Sequence, residues 1–316
     1  MGDHMPSRTL VISDTHLGRG RLSVLDPAHL EELLRAVDHL VINGDTAEIH
    51  HPRHSREAAF ALDRLRELAE RCGTRLDLVN GNHDPDVGQA HYLQLREGRI
   101  FITHGHVLHP SIAPWSPNAS VLESAYKQQV EDSRASTMDE MFDALARASL
   151  KEWANVSMDL SKTGNRAILV RPRSVFNVVK YWWTMPALVD AFVSEYVPAT
   201  RIVLVGHSHH AGHYSRNGRD IINTGCFGFP GRPLGALLEA DVLSTHPIRF
   251  EADRWILREH RTHGRYDLRD QESGKSPAVT GTPPEDDQSS LADTSRAASA
   301  TSSGSMPDSM PLSRHS

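Results

Sequence analysis

Short runs of aliphatic and β-branched residues recur along the chain, each ending on a glycine or Asx residue beside a potential ligand. Leu10-Val11-Ile12 runs into Asp14-Thr15-His16, and Leu40-Val41-Ile42-Asn43 into Gly44-Asp45. Leu76-Asp77-Leu78-Val79-Asn80 leads to Gly81-Asn82-His83-Asp84, and Ile100-Phe101-Ile102-Thr103 to His104-Gly105-His106. Much later, Ile202-Val203-Leu204-Val205 leads to Gly206-His207-Ser208-His209. Apolar runs this short, bounded by turn residues, predict buried strands. Helical spacing appears between the first of them. Asp26-Pro27 starts a helix with Leu30, Leu33, Leu34 and Val37 on one face. A second runs from about Arg56 to Cys72, buries Ala58, Ala59, Leu62, Leu65 and Leu68, and stops at Gly73. Strand alternating with helix predicts a parallel or mixed sheet under helical cover.

Roughly 95 residues separate His106 from Ile202, and they read as an insertion. Pro110, Pro114 and Pro117 break the chain, Ser120 to Trp153 is helical in pattern, and Ser161 to Pro172 is a polar interruption. Arg173 to Val197 is a second helical region in which Pro186 is expected to start or kink a helix. The insertion is either a cap over a functional site or an association surface. Its Trp, Met and Phe residues suit the lining of an apolar groove or a small core of its own. Lys180-Tyr181-Trp182-Trp183 suggests peripheral membrane contact. Beyond His209, the stretches Asp220–Asn223, Gly235–Leu238 and Pro247–Arg258 are expected to complete a second sheet. From about Arg269 the composition turns to Ser, Thr, Pro, Asp and Gly, too poor in large apolar side chains to offset chain entropy, so disorder is expected.

Composition narrows the class. The chain has 316 residues, 39% hydrophobic and 23% charged, with net charge −6. That suits a soluble protein with a single large α/β domain and an insertion. No run approaches the ~18 apolar residues of a membrane span, and no charged-then-apolar leader precedes the first strand. The mild acidity leaves no electrostatic footprint for nucleic acid. Cys72 and Cys226 have neither metal nor redox spacing, and a cytoplasmic location is expected.

The chemistry lies at the strand ends. In open α/β sheets ligands bind beyond the carboxyl ends of the strands, so these ends can converge on one centre. The side chains there are carboxylate, amide and imidazole, with no thiolate, a set that suits Mn, Fe, Zn or Co rather than a structural zinc. Arg19 and Arg21 in a glycine-rich loop could hold a substrate phosphate or simply face solvent. His50, His51 and His54 suit either a substrate mouth or a solvated loop. His106 is expected to be structural, His210 and His213 at the surface or rim, Ser208 a spacer, and Asn43 and Asn80 turn formers.

Asp14-x-His16, Gly44-Asp45, Gly81-Asn82-His83-Asp84, His104-Gly105 and Gly206-His207-x-His209, in that order, resemble the signature of the calcineurin-like metallophosphoesterases. The resemblance covers roughly residues 8–106 and 201–229. It implies an α/β fold, a two-sheet metallophosphoesterase sandwich flanked by helices, with a helical cap insertion. The corresponding domains are 6–268 for the metallophosphoesterase unit, 107–200 for the insertion within it, and 269–316 for a disordered tail. The resemblance also implies two divalent ions, Mn favoured over Fe, Zn or Co. Asp14, His16 and His209 would hold one ion and Asn82, His104 and His207 the other, with Asp45 bridging. Glycines 44, 81 and 206 are expected to let the backbone turn sharply beside these ligands. His83 would act as general acid or charge stabiliser at the leaving group, oriented by Asp84.

The implied activity is hydrolysis of a phosphodiester, pyrophosphate or phosphomonoester by attack of metal-bound hydroxide, on a substrate that is apolar or nucleotide-linked. The placement of the insertion is similar to that in bacterial UDP-diacylglucosamine hydrolases, which cleave a lipid-linked pyrophosphate. The chain departs from them in having His83 where they usually carry Arg. Two rivals remain. One is a nuclease of the repair type, because Ser13-Asp14-Thr15-His16-Leu17-Gly18 looks like the opening of those enzymes. The other is a metal-free interaction scaffold, as in the retromer subunit of this fold.

Overall fold

A computed structural model describes residues 8–20, 23–116, 118–155, 172–228 and 231–269. Arg21, Pro117, most of the polar interruption from Ser161 and the tail after Arg269 lie outside them.

Strands β1 (Arg8–Ile12), β2 (His39–Asn43) and β3 (Arg75–Val79) pair in parallel. They form one side of a seven-stranded sheet whose other side is antiparallel: β9 (Leu234–Glu239) on β1, then β10 (Val242–Glu251), with β11 (Arg254–Leu257) and β12 (Gly264–Asp267) both on β10. A five-stranded sheet runs β4 (Tyr92–Leu95), β5 (Ile100–Thr103), β6 (Ile202–Val205), β8 (Arg219–Asn223), β7 (Gly212–Arg216), with β5, β6 and β8 parallel. The expectation that the strands after His209 would all build the second sheet is therefore corrected. Only β7 and β8 join it, while β9 to β12 complete the first. The register shows why. Leu10 pairs with Leu237 and Val11 with Ala236, so alternate β9 residues serve both faces of β1.

The central strands β1, β2, β5 and β6 are buried on both faces, which is why they read as unbroken apolar runs. Val11, Val41, Val79, Ile102, Leu204, Ile222 and Leu238 fill the space between the sheets. The alternate residues Leu10, Ile12, Leu40 and Ile42 face outward, under α1 (Glu31–Arg35) and α2 (Ser55–Cys72). On the far side Phe101, Val203, Val205 and Ile221 are covered by α3 (Ala119–Ser133), α4 (Met138–Asn155) and α5 (Pro172–Tyr196) through Leu122, Phe142, Leu145, Met185 and Val189.

The insertion helices thus supply the outer layer of the second sheet, and Phe142, Tyr181 and Phe192 join its core rather than one of their own, while Phe176 and Trp183 stay exposed. The stretch expected as one helical region divides into α3 and α4. Arg134 ends α3 in the left-handed region (φ 53°). Glu140 Oε2 then accepts the N–H of Ser136 (2.7 Å) and Thr137 (3.0 Å) while Thr137 Oγ1 accepts that of Glu140, a capping box. Pro186 lies inside α5 rather than at its start. Of Lys180-Tyr181-Trp182-Trp183, Tyr181 is buried and Trp183 is 88% exposed, so the four do not share one face. No described helix is long and apolar enough to cross a membrane.

Candidate metal centre

The turns after β1, β2, β3, β5 and β6 meet. Asn43 at the end of β2 fastens one sheet to the other, its Nδ2 donating to Thr103 O (2.9 Å) and Leu204 O (3.3 Å). Its role is an inter-sheet strap rather than the turn geometry expected of it. Asp14, His16, Asp45, His207 and His209 all adopt left-handed backbone, with φ of 56, 47, 49, 64 and 56°. For non-glycine residues this costs about 1–3 kcal/mol each and persists only where the surroundings over-determine it. Here His16 N–H donates to Asp45 O (2.9 Å), Asp14 N–H to Gly44 O (3.1 Å) and His207 N–H to Asp14 Oδ2 (3.1 Å).

The glycines divide the work differently from expectation. Gly44 is left-handed (φ 80°), but Gly81 and Gly206 are not. A Cβ at Gly81 would stand 2.3 Å from Asp45, and one at Gly206 2.4 Å from Asp14 Oδ2. Those two glycines make room for carboxylates, and the ligand-type residues themselves turn the chain.

The donors fall into clusters whose atoms lie within 4.8 Å of one another: Asp14, His16, Asp45 and His209; Asp45, His104 and His207; His16, Glu48 and His83. Asp45 joins the first two. Its Oδ1 accepts the His83 N–H (2.9 Å), and its Oδ2 stands 3.3 Å from His104 Nε2 and 3.9 Å from Nε2 of both His16 and His83. Asp14 Oδ1 is 3.2 Å from His209 Nε2.

The hydrogen bonds behind the rings fix their tautomers. His104 Nδ1 donates to Asn43 O (2.9 Å) and leaves Nε2 bare; His207 Nε2 donates to Ile112 O (2.9 Å) and leaves Nδ1 bare. His16 Nδ1 donates to Glu48 Oε1 (3.0 Å), which leaves Nε2 to accept from His209 Nε2 at 3.2 Å. Such backing partners orient and sharpen metal-ligating imidazoles. Among the buried atoms of these strand ends that make no hydrogen bond are Asp14 Oδ1, Asn82 Oδ1 and His104 Nε2, with Asn43 Oδ1, Thr46 Oγ1, Thr103 Oγ1 and His106 Nδ1 in the same segments. Buried polar atoms are otherwise almost always paired, so a carboxylate oxygen, an amide oxygen and an imidazole nitrogen left bare together fit a cation site.

The electrostatics agree. Burial pushes the Asp45 and Asp14 carboxyls up, but facing imidazoles outweigh it and hold both below the usual range, Asp45 well below. Burial works against charge on His104, yet Asp45 and Asp14 push it up to about 9. Burial takes His207 down to about 3 and His16 to about 4, so both are neutral donors.

Asp84 and His83 are not a pair, contrary to expectation. Asp84 Oδ1 accepts the N–H of Asp45 (3.0 Å) and Gly81 (3.1 Å), and Oδ2 those of Thr46 (2.6 Å) and Ala47 (3.1 Å). All its capacity goes to the backbone of the Asp45 turn. His83 is oriented instead by Glu48, whose Oε2 accepts from Nδ1 at 2.8 Å.

Glu48 is 1% exposed and escaped the sequence reading, whereas Cys226, which its spacing set apart from metal chemistry, lies within 4.8 Å of donor nitrogens of His16 and His209. A glutamate shortly after Gly-Asp was the one available signal for the first. Arg19 Nη1 stands 3.4 Å from Glu48 Oε1, facing the site rather than only solvent.

The remaining histidines sort themselves. His106 is buried, with its ring 5.4 Å from that of His104, and belongs to none of the donor clusters among the described residues. His50 pairs with Asp86 (2.6 Å), while the His51 ring is 5.7 Å from Trp153 and 4.4 Å from His54. His210 is at the rim against Trp182, but His213 is tucked against Thr245 (2.8 Å). Ser208 is a spacer, held by Asn223 Nδ2 (2.9 Å), and Asn80 accepts the Gly88 N–H (2.8 Å). Aromatic side chains of the insertion close around the centre: Trp153 Nε1 donates to Asn82 O (2.9 Å) with its ring 5.1 Å from His83, and the Trp115 ring is 5.1 Å from His207.

Residues 8–144 match the profile of the calcineurin-like phosphoesterase superfamily domain. The match takes in the first four sequence blocks and stops short of Gly206-His207-Ser208-His209. Among solved structures, a conserved uncharacterised protein and predicted phosphoesterase of Streptococcus pneumoniae TIGR4 is 14% identical, covering 83% of this chain and 98% of its own at a TM-score of 0.38. A dimetal phosphatase of Danio rerio is 13% identical over 77% and 96% of the two chains, with a TM-score of 0.41. Wild-type Vps29 of Entamoeba histolytica complexed with zinc is 12% identical over 83% and 99%, with a TM-score of 0.38. Likenesses this distant do not extend to activity. No curated protein is similar in sequence to this chain.

Proposed function

We infer that this chain, which carries a calcineurin-like phosphoesterase domain, is a hydrolase of phosphate esters that works with two divalent ions. One observation carries the reading: Asp14, Asn82 and His104 present bare, buried donor atoms around Asp45. Asp14, His16 and His209 would hold one ion and Asn82, His104 and His207 the other, with Asp45 belonging to both donor groups. Bound there, the pair would neutralise a phosphate and bring a water's pKa near neutrality.

The chain's own residues supply the rest. Carbonyl and carboxylate partners behind His16, His104 and His207 aim the other ring nitrogen at the centre; burial keeps His16 and His207 neutral, while His104 carries a proton that a cation would displace. His83, with burial opposed by the larger pull of Glu48 and Asp45, has its pKa raised and keeps a proton for a leaving oxygen. The Asp84 carboxylate clamps the turn that presents Asp45.

Trp153, Trp115 and His51 make the surroundings of the centre aromatic. This supports an ester with an apolar or planar leaving portion, including lipid-linked pyrophosphates of the UDP-diacylglucosamine type. The described residues of the insertion 107–200 cover the second sheet and bring Trp115 and Trp153 beside the site. Mn is the first ion to try.

Turnover of p-nitrophenyl mono- and diesters, cyclic nucleotides and UDP-linked lipids, measured with Mn and again after chelation, tests the reading, with Asp45→Asn as control. Metal-dependent turnover that disappears in the variant is expected. A protein that binds no divalent ion and turns over none of these would be a scaffold instead.

A further inference from the structure

Ile112, in the segment between β5 and α3, is 1% exposed and has left-handed backbone, with φ of 58°. A β-branched residue is an outlier there, and such strain persists only where the surroundings over-determine it. Here they do. The Ile112 N–H donates to His109 O (2.8 Å), Ser111 Oγ donates to Glu123 Oε2 of α3 (2.8 Å), and Asn177 Nδ2 of α5 donates to Pro114 O (3.1 Å). The Ile112 side chain belongs to the core that Phe142 and Val189 share. What this clamped turn delivers to the centre is Ile112 O, which accepts the His207 Nε2–H at 2.9 Å. Two further contacts from the insertion reach neighbouring turns. Trp153 Nε1 of α4 donates to Asn82 O (2.9 Å), and Tyr181 Oη of α5 donates to Gly105 O (3.4 Å), next to His104.

We propose that α4, α5 and the Ile112 turn are a positioning device for one of the two ions, the one assigned to Asn82, His104 and His207. The proposal rests on the two-ion reading and deepens it. Each of those three residues is gripped by the insertion, directly or at the next residue. Asp14 and His16 of the other position are held from the turn after β2, through Gly44 O, Asp45 O and Glu48. Trp182 Nε1 donates to Ser208 O (3.0 Å), in the turn that carries one ligand of each ion. The donor sets explain why the two positions differ in their need for support. Asp14 and Asp45 give the first position two carboxylates, whereas the second has Asp45, a neutral amide and two imidazoles. A site with less charge depends more on the placement of its donors. If the Ile112 carbonyl drifts, the His207 ring is free to turn, and if the Asn82 turn loosens, its amide oxygen leaves the centre. Partners of this kind are worth about 10–100-fold in metal affinity.

Manganese(II) is the probe. The full chain, Trp153→Phe, Asn177→Ala and His207→Ala are each titrated with Mn(II), with bound metal measured by elemental analysis and its state by electron paramagnetic resonance. The wild type is expected to pass from the spectrum of an isolated ion to that of a spin-coupled pair. His207→Ala identifies the step that belongs to the second position. Trp153→Phe keeps a ring but loses the N–H, and Asn177→Ala releases Pro114 O. Each is expected to weaken that same step by about 10–100-fold and to leave the other unchanged, so that at limiting Mn(II) the isolated-ion spectrum persists. If both steps weaken alike, if neither changes, or if the step that survives in His207→Ala is the one affected, the proposal is overturned and the two-ion reading stands. A wild type that never takes up a second ion removes both. If Trp153→Phe does not fold, Asn177→Ala decides, because it acts on the His207 side through the Ile112 turn and leaves the indole in place.

Discussion

Glu48 Oε2 accepts a hydrogen bond from His83 Nδ1 at 2.8 Å, and the other oxygen of the same carboxylate holds His16 Nδ1 at 3.0 Å. A carboxylate can only accept, so both rings carry their proton on Nδ1 and turn Nε2 toward Asp45. One buried side chain thereby orients a candidate ligand and a candidate acid. Burial raises the Glu48 pKa, but His83, Arg19 and His16 outweigh it and hold it well below the usual carboxylate range, so it stays ionised.

His83→Ala should keep its metal and lose activity. The ring's Nε2 is 3.9 Å from Asp45 Oδ2 but its Nδ1 is spent on Glu48, so in the proposed scheme its contribution is proton delivery. The expected loss in kcat is about 10²–10⁴-fold, the usual value of a positioned acid, with metal content by elemental analysis unchanged. Unaltered kcat would take His83 out of the chemistry.

Glu48→Gln should shift the pH profile more than it lowers the maximum rate. His83 has a raised pKa through Glu48 and Asp45 acting against burial. The acid form is present below that pKa and is lost as pH climbs through it. Removing the Glu48 charge lowers the pKa, so the alkaline limb of kcat should move to lower pH. Initial rates across the alkaline range check this, and an unmoved limb would show that Glu48 does not act through His83.

Metal uptake should release protons. In the metal-free protein Asp45 and Asp14, against the opposing effect of burial, push His104 up to about 9. Below that pH a cation must displace the His104 proton. Apparent affinity should therefore rise with pH through about 9, and His209, whose pKa Cys226 and Asp14 raise against burial, adds to the protons released. Calorimetry in buffers of different ionisation enthalpy measures the protons released, and His104→Ala should both weaken binding and reduce that number.

Phe142→Ala tests whether α4 belongs to the core. Phe142 has no exposed surface and stands 5.6 Å from the ring of Tyr92 and 6.1 Å from that of Phe192. Truncating a buried phenylalanine costs about 3–5 kcal/mol, and denaturant unfolding should show that loss. A change near zero would mean that the insertion helices contribute little to the packing of the second sheet.

The parallel strands and their ligands were legible because β1, β2, β5 and β6 are buried on both faces and each hands its ligand over at the very next turn. Asp14, His16, Asp45 and His104 therefore stand beside an apolar run that marks them. Glu48 has no such marker: it follows Asp45 in a segment without periodicity, and only the fold brings it under His16 and His83. Cys226 has no second ligand near it in sequence, so spacing rules pass over it, and only the fold brings it to His209. The sheet to which β9 belongs was illegible for a different reason. A strand with two apolar faces fits either sheet, and only the pairing of Leu10 with Leu237 decides. The insertion's aromatics were ambiguous in the same way, since a stripe that covers a sheet reads like one that lines a groove.

Asp84 gives the sharpest contrast between the two kinds of evidence. Adjacency to His83 makes it look like an orienting group, whereas its oxygens accept four backbone N–H groups, from Asp45, Thr46, Ala47 and Gly81. Asp84→Asn would turn an NH₂ toward donors. Each buried donor left unpaired costs about 1–3 kcal/mol, and the left-handed Asp45 (φ 49°) loses the contacts that hold it. The metal-free variant should be less stable by about 2–4 kcal/mol on that basis, measured by denaturant unfolding in chelator. His83→Ala, which removes no acceptor from those N–H groups, should be much less affected in the same assay. If Asp84→Asn instead keeps wild-type stability and loses only turnover, the carboxylate acts on the chemistry and not on the turn.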